Sequence, residues 1–142
     1  MANLIVLDTG KENFLKILAD ESASEKLDTL WVGLYVNNYT PVHDDVFSDY
    51  SEATFSGYAR AQIVTLTAVS LNGSNQGQST TNALVFANST GANQDVYGIF
   101  IVDTNGSVHD LLCAGRFDAA PVSIPAGGDL GIVLTFLTDS LF

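Results

Sequence analysis

Few residues in this chain have the chemistry of a reacting group. His109 and Cys113 pair a base with a nucleophile, the combination that generates a reactive thiolate. They share one face of a predicted strand four residues apart, so at about 3.3 Å per residue their backbones lie roughly 13 Å from each other, beyond hydrogen-bond reach. That spacing supports an inert buried thiol beside a rim histidine. His43, Asp44 and Asp45 have the ligand types of a metal site. Zinc, however, needs three or four converging nitrogen or sulfur ligands, and two histidines and one cysteine stand in separate segments. Asp44, Asp45, Asp49 and Glu52 are closely spaced oxygen donors of the kind calcium takes, without EF-hand spacing. Asp103-Thr104-Asn105-Gly106 begins such a loop but lacks the glutamate that closes it. A solvated acidic loop is the default reading and a structural cation the alternative. No GxSxG motif, glycine-rich phosphate loop or pair of catalytic carboxylates is found, so the expectation is a protein without catalysis, cofactor or metal. The N-x-S/T matches at Asn38, Asn72, Asn88 and Asn105 are what a turn-rich composition produces.

The elements that must position these residues are mostly strands. Asn3 to Leu7 suits a short strand or arm. Asp8 or Thr9 offers an N-cap, and Phe14, Leu15, Ile17 and Leu18 recur at helical spacing, which predicts an amphipathic helix from Lys11 to Asp20. Leu30 to Val36 alternates, with Leu30, Val32, Leu34 and Val36 on one face and Trp31, Gly33 and Tyr35 on the other. Asn37, Asn38 and Pro41 end that strand and lead into an irregular, acidic and aromatic stretch. Strands are then predicted over Ala61 to Ser70, Thr81 to Ala87, Asp95 to Val102, Ser107 to Phe117 and Asp129 to Leu137, separated by Asn72-Gly73, a loop containing Gly91, Asn105-Gly106 and Gly127-Gly128. The expected fold is all-β: an antiparallel β-sandwich, jelly-roll-like, with one short N-terminal α-helix. It forms a single domain, with an arm and helix over residues 1–28 and the sandwich over 29–142. Val96 to Val102 and Leu130 to Leu137 are apolar on both faces. Either they are central strands covered by the helix, or their outer faces meet another subunit.

At 142 residues and 15.1 kDa the chain can bury a core without disulfide or metal. Its formal net charge is -11, and from Leu27 onward only Arg60 and Arg116 oppose 11 acids. Such a surface repels phosphate backbones and anionic bilayers, which argues against nucleic acid and membrane as partners. The lone Cys113 forms no intrachain disulfide. MANLIVLDTGKE has no basic n-region and only four consecutive apolar residues, so the expectation is a soluble protein made in the cytoplasm. The rest reads as scaffold, so contact specificity falls to Leu30 to Arg60.

That stretch carries a resemblance. LYVNNYTPVHDDVFSDYSEATFSGYAR, with a strand ending in NN, then TP, an acidic run and EATFSGYA, is similar to a pattern in small virion structural proteins of tailed bacteriophages. VYGIFIVDTNG followed by DLLCAGRF, and then PVSIPAGGDLGIVLTF, extend the resemblance from about Leu30 to Phe136. It implies an accessory head protein of the decoration or cement kind, on the outer capsid surface of a virion after synthesis in the host cytoplasm. Its implied partners are the major capsid protein and itself, as a homotrimer, and its role is to stabilise the shell by bridging capsomers. The contact residues expected on this reading are Leu4, Ile5 and Val6, as a strand added to a neighbour's sheet, together with Trp31, Tyr35, Tyr39, Phe47, Tyr50, Phe55 and Tyr58. Two alternatives stay open: a carbohydrate- or receptor-binding sandwich of a fibre or tail, stacking sugars on Trp31, Tyr35, Tyr39 or Tyr50, and a neck or tail connector.

Overall fold

A computed structural model describes residues 4–11, 30–103 and 111–137. Within them, β1 (Ile5–Val6), β2 (Trp31–Tyr35), β3 (Ala61–Gln62), β8 (Gly98–Val102) and β9 (Leu111–Arg116) form a five-stranded antiparallel sheet in the order β1-β9-β8-β2-β3. The remaining strands are β4 (Ser70–Leu71), β5 (Gly77–Thr80), β6 (Leu84–Ala87), β7 (Gln94–Val96), β10 (Val122–Ile124), β11 (Asp129–Ile132) and β12 (Thr135–Leu137). Their pairing is nested: β5 with β12, β6 with β11, β7 with β10 and β8 with β9. This is a long hairpin rolled on itself, the jelly-roll pattern, and it makes the chain an all-β antiparallel sandwich.

The roll bends where the ladder slips. Between β5–β12 and β6–β11 the register shifts by one residue, and there the Thr81 N–H donates to the Leu134 carbonyl at 2.9 Å while its hydroxyl accepts the Leu134 N–H at 3.1 Å. Between β7 and β8 only Tyr97 intervenes. Gly98 resumes the strand opposite Arg116 and Tyr35, so close that a Cβ there would meet the Tyr35 hydroxyl at 2.5 Å.

Two apolar clusters lie on opposite faces of the five-stranded sheet. Val32, Leu34, Ile99, Ile101 and Leu112 pack with Leu84, Phe86, Ile132 and Leu134 of the second layer, which is the core between the layers. Tyr35, Phe100, Val102, Leu111 and Ala114 face the other way, with Leu7 and Tyr50 buried over them and Trp31, Tyr39 and Phe47 half-buried at the margin. The doubly apolar strand through β8 is therefore covered by the stretch that follows β2.

Several sequence expectations shift in detail. The faces of β2 are as predicted for Leu30 to Tyr35, while Val36 lies beyond the strand and is exposed. Unbroken alternation over Val96 to Val102 would put Val96 with Phe100 and Val102, but it joins Ile99 and Ile101, because the break at Tyr97 changes the alternation. Ala61 to Ser70 is not one strand: regular pairing is limited to β3 and β4, and residues 64–69 touch the neighbouring layer through an isolated bridge, Leu66 to Thr81. Asn82 is the reason, since its side-chain oxygen accepts the N–H groups of Val64 (3.0 Å) and Thr65 (3.3 Å) in place of a ladder. Leu130 to Leu137 divides into β11 and β12, with Ile132 and Leu134 buried and Val133 exposed. Helix begins at residues 8–11, earlier than the predicted Lys11, and the Lys11 N–H reaches the Leu7 carbonyl at 2.9 Å. The rest of the predicted helix, the loop over Glu21 to Asp28 and the Asn105-Gly106 turn lie outside the described residues.

Candidate functional site

The stretch from Val36 to Arg60 leaves the sheet at the end of β2, crosses the aromatic face and returns at β3. Asn37 starts it by holding both flanks: its amide nitrogen donates to the Asp49 carbonyl at 2.9 Å and its oxygen accepts the Ser51 N–H at 2.8 Å. A 3-10 turn, Phe47–Asp49, follows. The Asp49 carboxylate accepts the Val46 N–H at 2.8 Å, satisfying a donor the short turn leaves over.

Asp45 is the hub of this layer. Although an aspartate, it is 6% exposed, and its carboxylate accepts the Tyr39 hydroxyl at 2.6 Å, the Tyr50 hydroxyl at 2.5 Å and the Val42 N–H at 2.8 Å. Burial disfavours its charge, but hydrogen bonds from Tyr39, Tyr50 and Val42 outweigh that and hold the carboxyl below its ordinary range. The partners respond in the opposite sense. The bond to Asp45 pushes the Tyr39 hydroxyl up to about 12, and burial together with Asp45 raises Tyr50 further. Burial also lifts Tyr35 to about 12, and its hydroxyl donates to the Tyr39 carbonyl at 3.3 Å. Arg116 donates to that same carbonyl at 3.0 Å while its guanidinium lies 5.3 Å from the Tyr97 ring centre. The tyrosines meet edge to face, Tyr35 with Tyr50 at 5.1 Å and Tyr39 with Tyr50 at 5.5 Å.

A second network closes the far end. Glu52 takes both forks of Arg60, Nε to Oε1 and Nη2 to Oε2, each at 2.8 Å, and also accepts the Tyr58 hydroxyl at 2.8 Å. Tyr58 in turn receives the Leu34 N–H at 3.1 Å, which ties the loop to β2. The Glu52 bond raises the Arg60 pKa, and the guanidinium lies 5.5 Å from the Phe100 ring centre and 5.6 Å from that of Phe47. Burial raises the Tyr58 hydroxyl. With Asp45 ionised and these hydroxyls protonated across neutral pH, the groups act as fixed hydrogen-bond partners.

The expected contact residues fall into three sets. Val6, Tyr35 and Tyr50 are buried within this chain; Leu4, Ile5, Trp31, Tyr39 and Phe47 are half-buried at its margins; Phe55 and Tyr58 pack on the core between the layers, where Tyr58 stacks on Phe86 at 6.2 Å. The Leu4 to Val6 arm pairs in cis, with Ile5 opposite Ala114 and Val6 opposite Cys113. Its end is pinned to the loop: the Asp8 N–H donates to the His43 carbonyl at 2.9 Å, and the His43 Nδ1 lies 3.2 Å from the Val6 carbonyl oxygen.

The chemistry considered for the acidic loop takes a different form. Asp45, Asp49 and Glu52 are each engaged by donors of the chain itself, and no group of three or more His, Cys, Asp or Glu side chains converges among the described residues. Cys113 is buried, and burial alone pushes its thiol up to about 12; its proposed partner His109 lies outside the described residues. Sequence reasoning missed Asn37, Asp45, Arg60 and Arg116 as organisers. A signal was present: Asp45 sits between Tyr39 and Tyr50, and Arg60 is the sole basic residue between Lys26 and Arg116. Neither protein-family models nor curated proteins gave a match to this chain.

Proposed function

We propose that this protein is a non-catalytic structural component of a tailed-phage virion, decorating the outer capsid and stabilising it by bridging capsomers. The observation that carries the reading is the construction of the Val36 to Arg60 layer. Its aromatic residues hold it to the sheet and its polar groups are fixed by one another, while Val42 (47% exposed), Val46 (56% exposed) and Asp44 face outward on a surface of fixed shape. A preordered surface loses little entropy on docking, so a modest contact area on a large shell gives useful affinity. Binding to the assembled shell alone then stabilises it by mass action. The net charge of -11 supports placement on the outside, away from packaged DNA. The glycan-binding alternative asks for open ring faces, and Tyr35 is buried beneath this layer and Tyr50 within it.

The test mixes purified protein with expanded heads that lack it. Saturable co-sedimentation and a higher temperature of shell disruption are expected. Free protein remaining in the supernatant at every concentration, with heads no more heat-resistant than before, overturns the proposal.

A further inference from the structure

From Ala61 to Gln94 there is no charged side chain, a run of 34 residues in a chain that is 15% charged, where about five would be expected. The run builds β3 of the five-stranded sheet and β4, β5 and β6 of the second layer, and among the described residues β5 and β12, the strands that follow β4 across its sheet, bring no charge to it. It also carries much of the exposed aliphatic surface: Val69 is 77% exposed, Leu71 71% and Val64 61%, with Leu66 beside them.

Among the described residues, these lie along an open sheet edge. In the order β12-β5-β4, β4 is terminal. The Thr67 N–H donates to the Thr80 carbonyl and the Asn82 N–H to the Thr65 carbonyl, which leaves Leu66 opposite Thr81 as a non-hydrogen-bonded pair with its own N–H and C=O turned outward. The Asn72 N–H to Gln76 carbonyl bond sets the same parity at the other end, where Leu71 opposite Gly77 turns its backbone outward. Edge strands are ordinarily guarded by lysine, proline or an inward-pointing charge. Residues 61–82 contain none of these; what interrupts the edge is the Asn82 side chain on the Val64 and Thr65 N–H groups and a one-residue slip between Leu66–Thr81 and Ser70–Gln78.

We infer that the 64–71 edge is a self-association surface on which two copies pair antiparallel about a two-fold axis. The occupant follows from charge. Two chains of net charge -11 repel wherever their acidic faces meet, and among the described residues this edge is one where they can approach without opposing charges. A basic partner would instead be drawn to the acids, which this region lacks. Identical edges turned antiparallel are self-complementary, each copy offering the outward N–H and C=O groups of Leu66 and Leu71 and an apolar row to the other. The pairing is a two-fold dimer, distinct from the three-fold ring implied by the phage resemblance, and it does not depend on placement in a virion.

Sedimentation equilibrium or light scattering tests it, with Val69→Lys and Leu71→Lys as edge variants and Ser123→Lys, on the β7–β10 ribbon, as control. Wild type and the control are expected at twice the 15.1 kDa chain mass, holding or tightening as salt rises because screening relieves the residual repulsion. Each edge variant places like charges across the axis and should weaken association about a hundredfold or more. Both substituted side chains are largely exposed, so circular dichroism and thermal melting should show the fold retained. A wild-type protein of one chain mass at all concentrations, a mass of three chains, or a dimer indifferent to both edge variants each overturns the inference, and none of them bears on shell binding.

Discussion

Replacing Asp45 with asparagine isolates what one buried carboxylate contributes to the outer layer. In the wild type, Oδ2 accepts both the Val42 N–H and the Tyr50 hydroxyl, and Oδ1 accepts the Tyr39 hydroxyl. The asparagine oxygen can occupy the Oδ2 position and keep two of these bonds, now to a neutral acceptor. Its NH2 then faces Tyr39, whose half-exposed hydroxyl turns to accept it or to donate to water. Charge-assisted hydrogen bonds contribute about 1.5–3 kcal/mol each and neutral ones about 1, so weakening two and rearranging the third costs about 2 kcal/mol. Asp45→Ala removes the acceptor from all three donors and strands the Tyr50 hydroxyl under the layer, which raises the cost to about 4 kcal/mol. Unfolding entropy for this length is about 0.3 kcal/mol per degree, so the two variants should melt about 7 and 13 °C below wild type.

The pH dependence separates this mechanism from simple loss of packing. Because the folded-state pKa of Asp45 is depressed, its contribution is complete above the unfolded carboxyl value, begins to fade below about pH 5 and is gone once pH has fallen through the folded pKa. The other acids titrate equally in wild type and Asp45→Asn, so the difference in urea unfolding free energy between them reports on Asp45. That difference should shrink toward zero as pH is lowered from 7. A difference under about 0.5 kcal/mol at pH 7, or one that stays constant down to the acid limit of folding, would refute the reasoning.

Glu52→Gln should destabilise the protein by about 1–3 kcal/mol, and a double-mutant cycle with Arg60→Met should return a coupling of at least about 1 kcal/mol, since Glu52 and Arg60 are joined by two parallel bonds. Asn88 is 1% exposed with its NH2 aimed at the carbonyls of Ala92, Ile124 and Pro125, so Asn88→Asp turns a carboxylate against three acceptors and should cost about 3 kcal/mol or more in thermal melting. Cys113 should resist a thiol reagent at neutral pH until the chain unfolds, because its thiol is buried and held protonated.

How legible the fold was depended on whether a residue's partner was near in sequence. The alternation of Trp31 to Tyr35 predicted both faces of β2, because side-chain period alone sets them. Of the nested pairs only β8 with β9 joins strands adjacent in the chain; β5 with β12, β6 with β11 and β7 with β10 are long-range, and Gly77–Thr80 and Val122–Ile124 are not among the predicted strands. The sequence did not supply the cover for β8 either. Phe100 and Val102 faced a choice between the N-terminal helix and another subunit, and the layer over them comes from a stretch without periodicity, whose fit depends on Asp45 meeting Tyr39 and Tyr50. Such contacts leave no repeat to read. Residues 64–69 failed for a related reason: their β-branched composition suits a strand, but Asn82 captures two of their N–H groups from another segment.

The outer layer and the 64–71 edge solve opposite problems with the same economy of charge. Over the aromatic face, ionised groups are brought inward and neutralised by geometry: Asp45 by two hydroxyls and an N–H, and Glu52 by Arg60 and Tyr58. Breaking one partner there leaves a buried charge without its bonds, so the layer is held to one conformation. Along 64–71 charge is absent, and the backbone groups of Leu66 and Leu71 are turned to an open edge. The first arrangement fixes a surface so that it can be recognised. The second leaves one able to pair with its own kind. Since substitutions in the first change stability and substitutions in the second change mass, Asp45→Asn and Leu71→Lys should act independently: their double variant should melt as the first and sediment as the second.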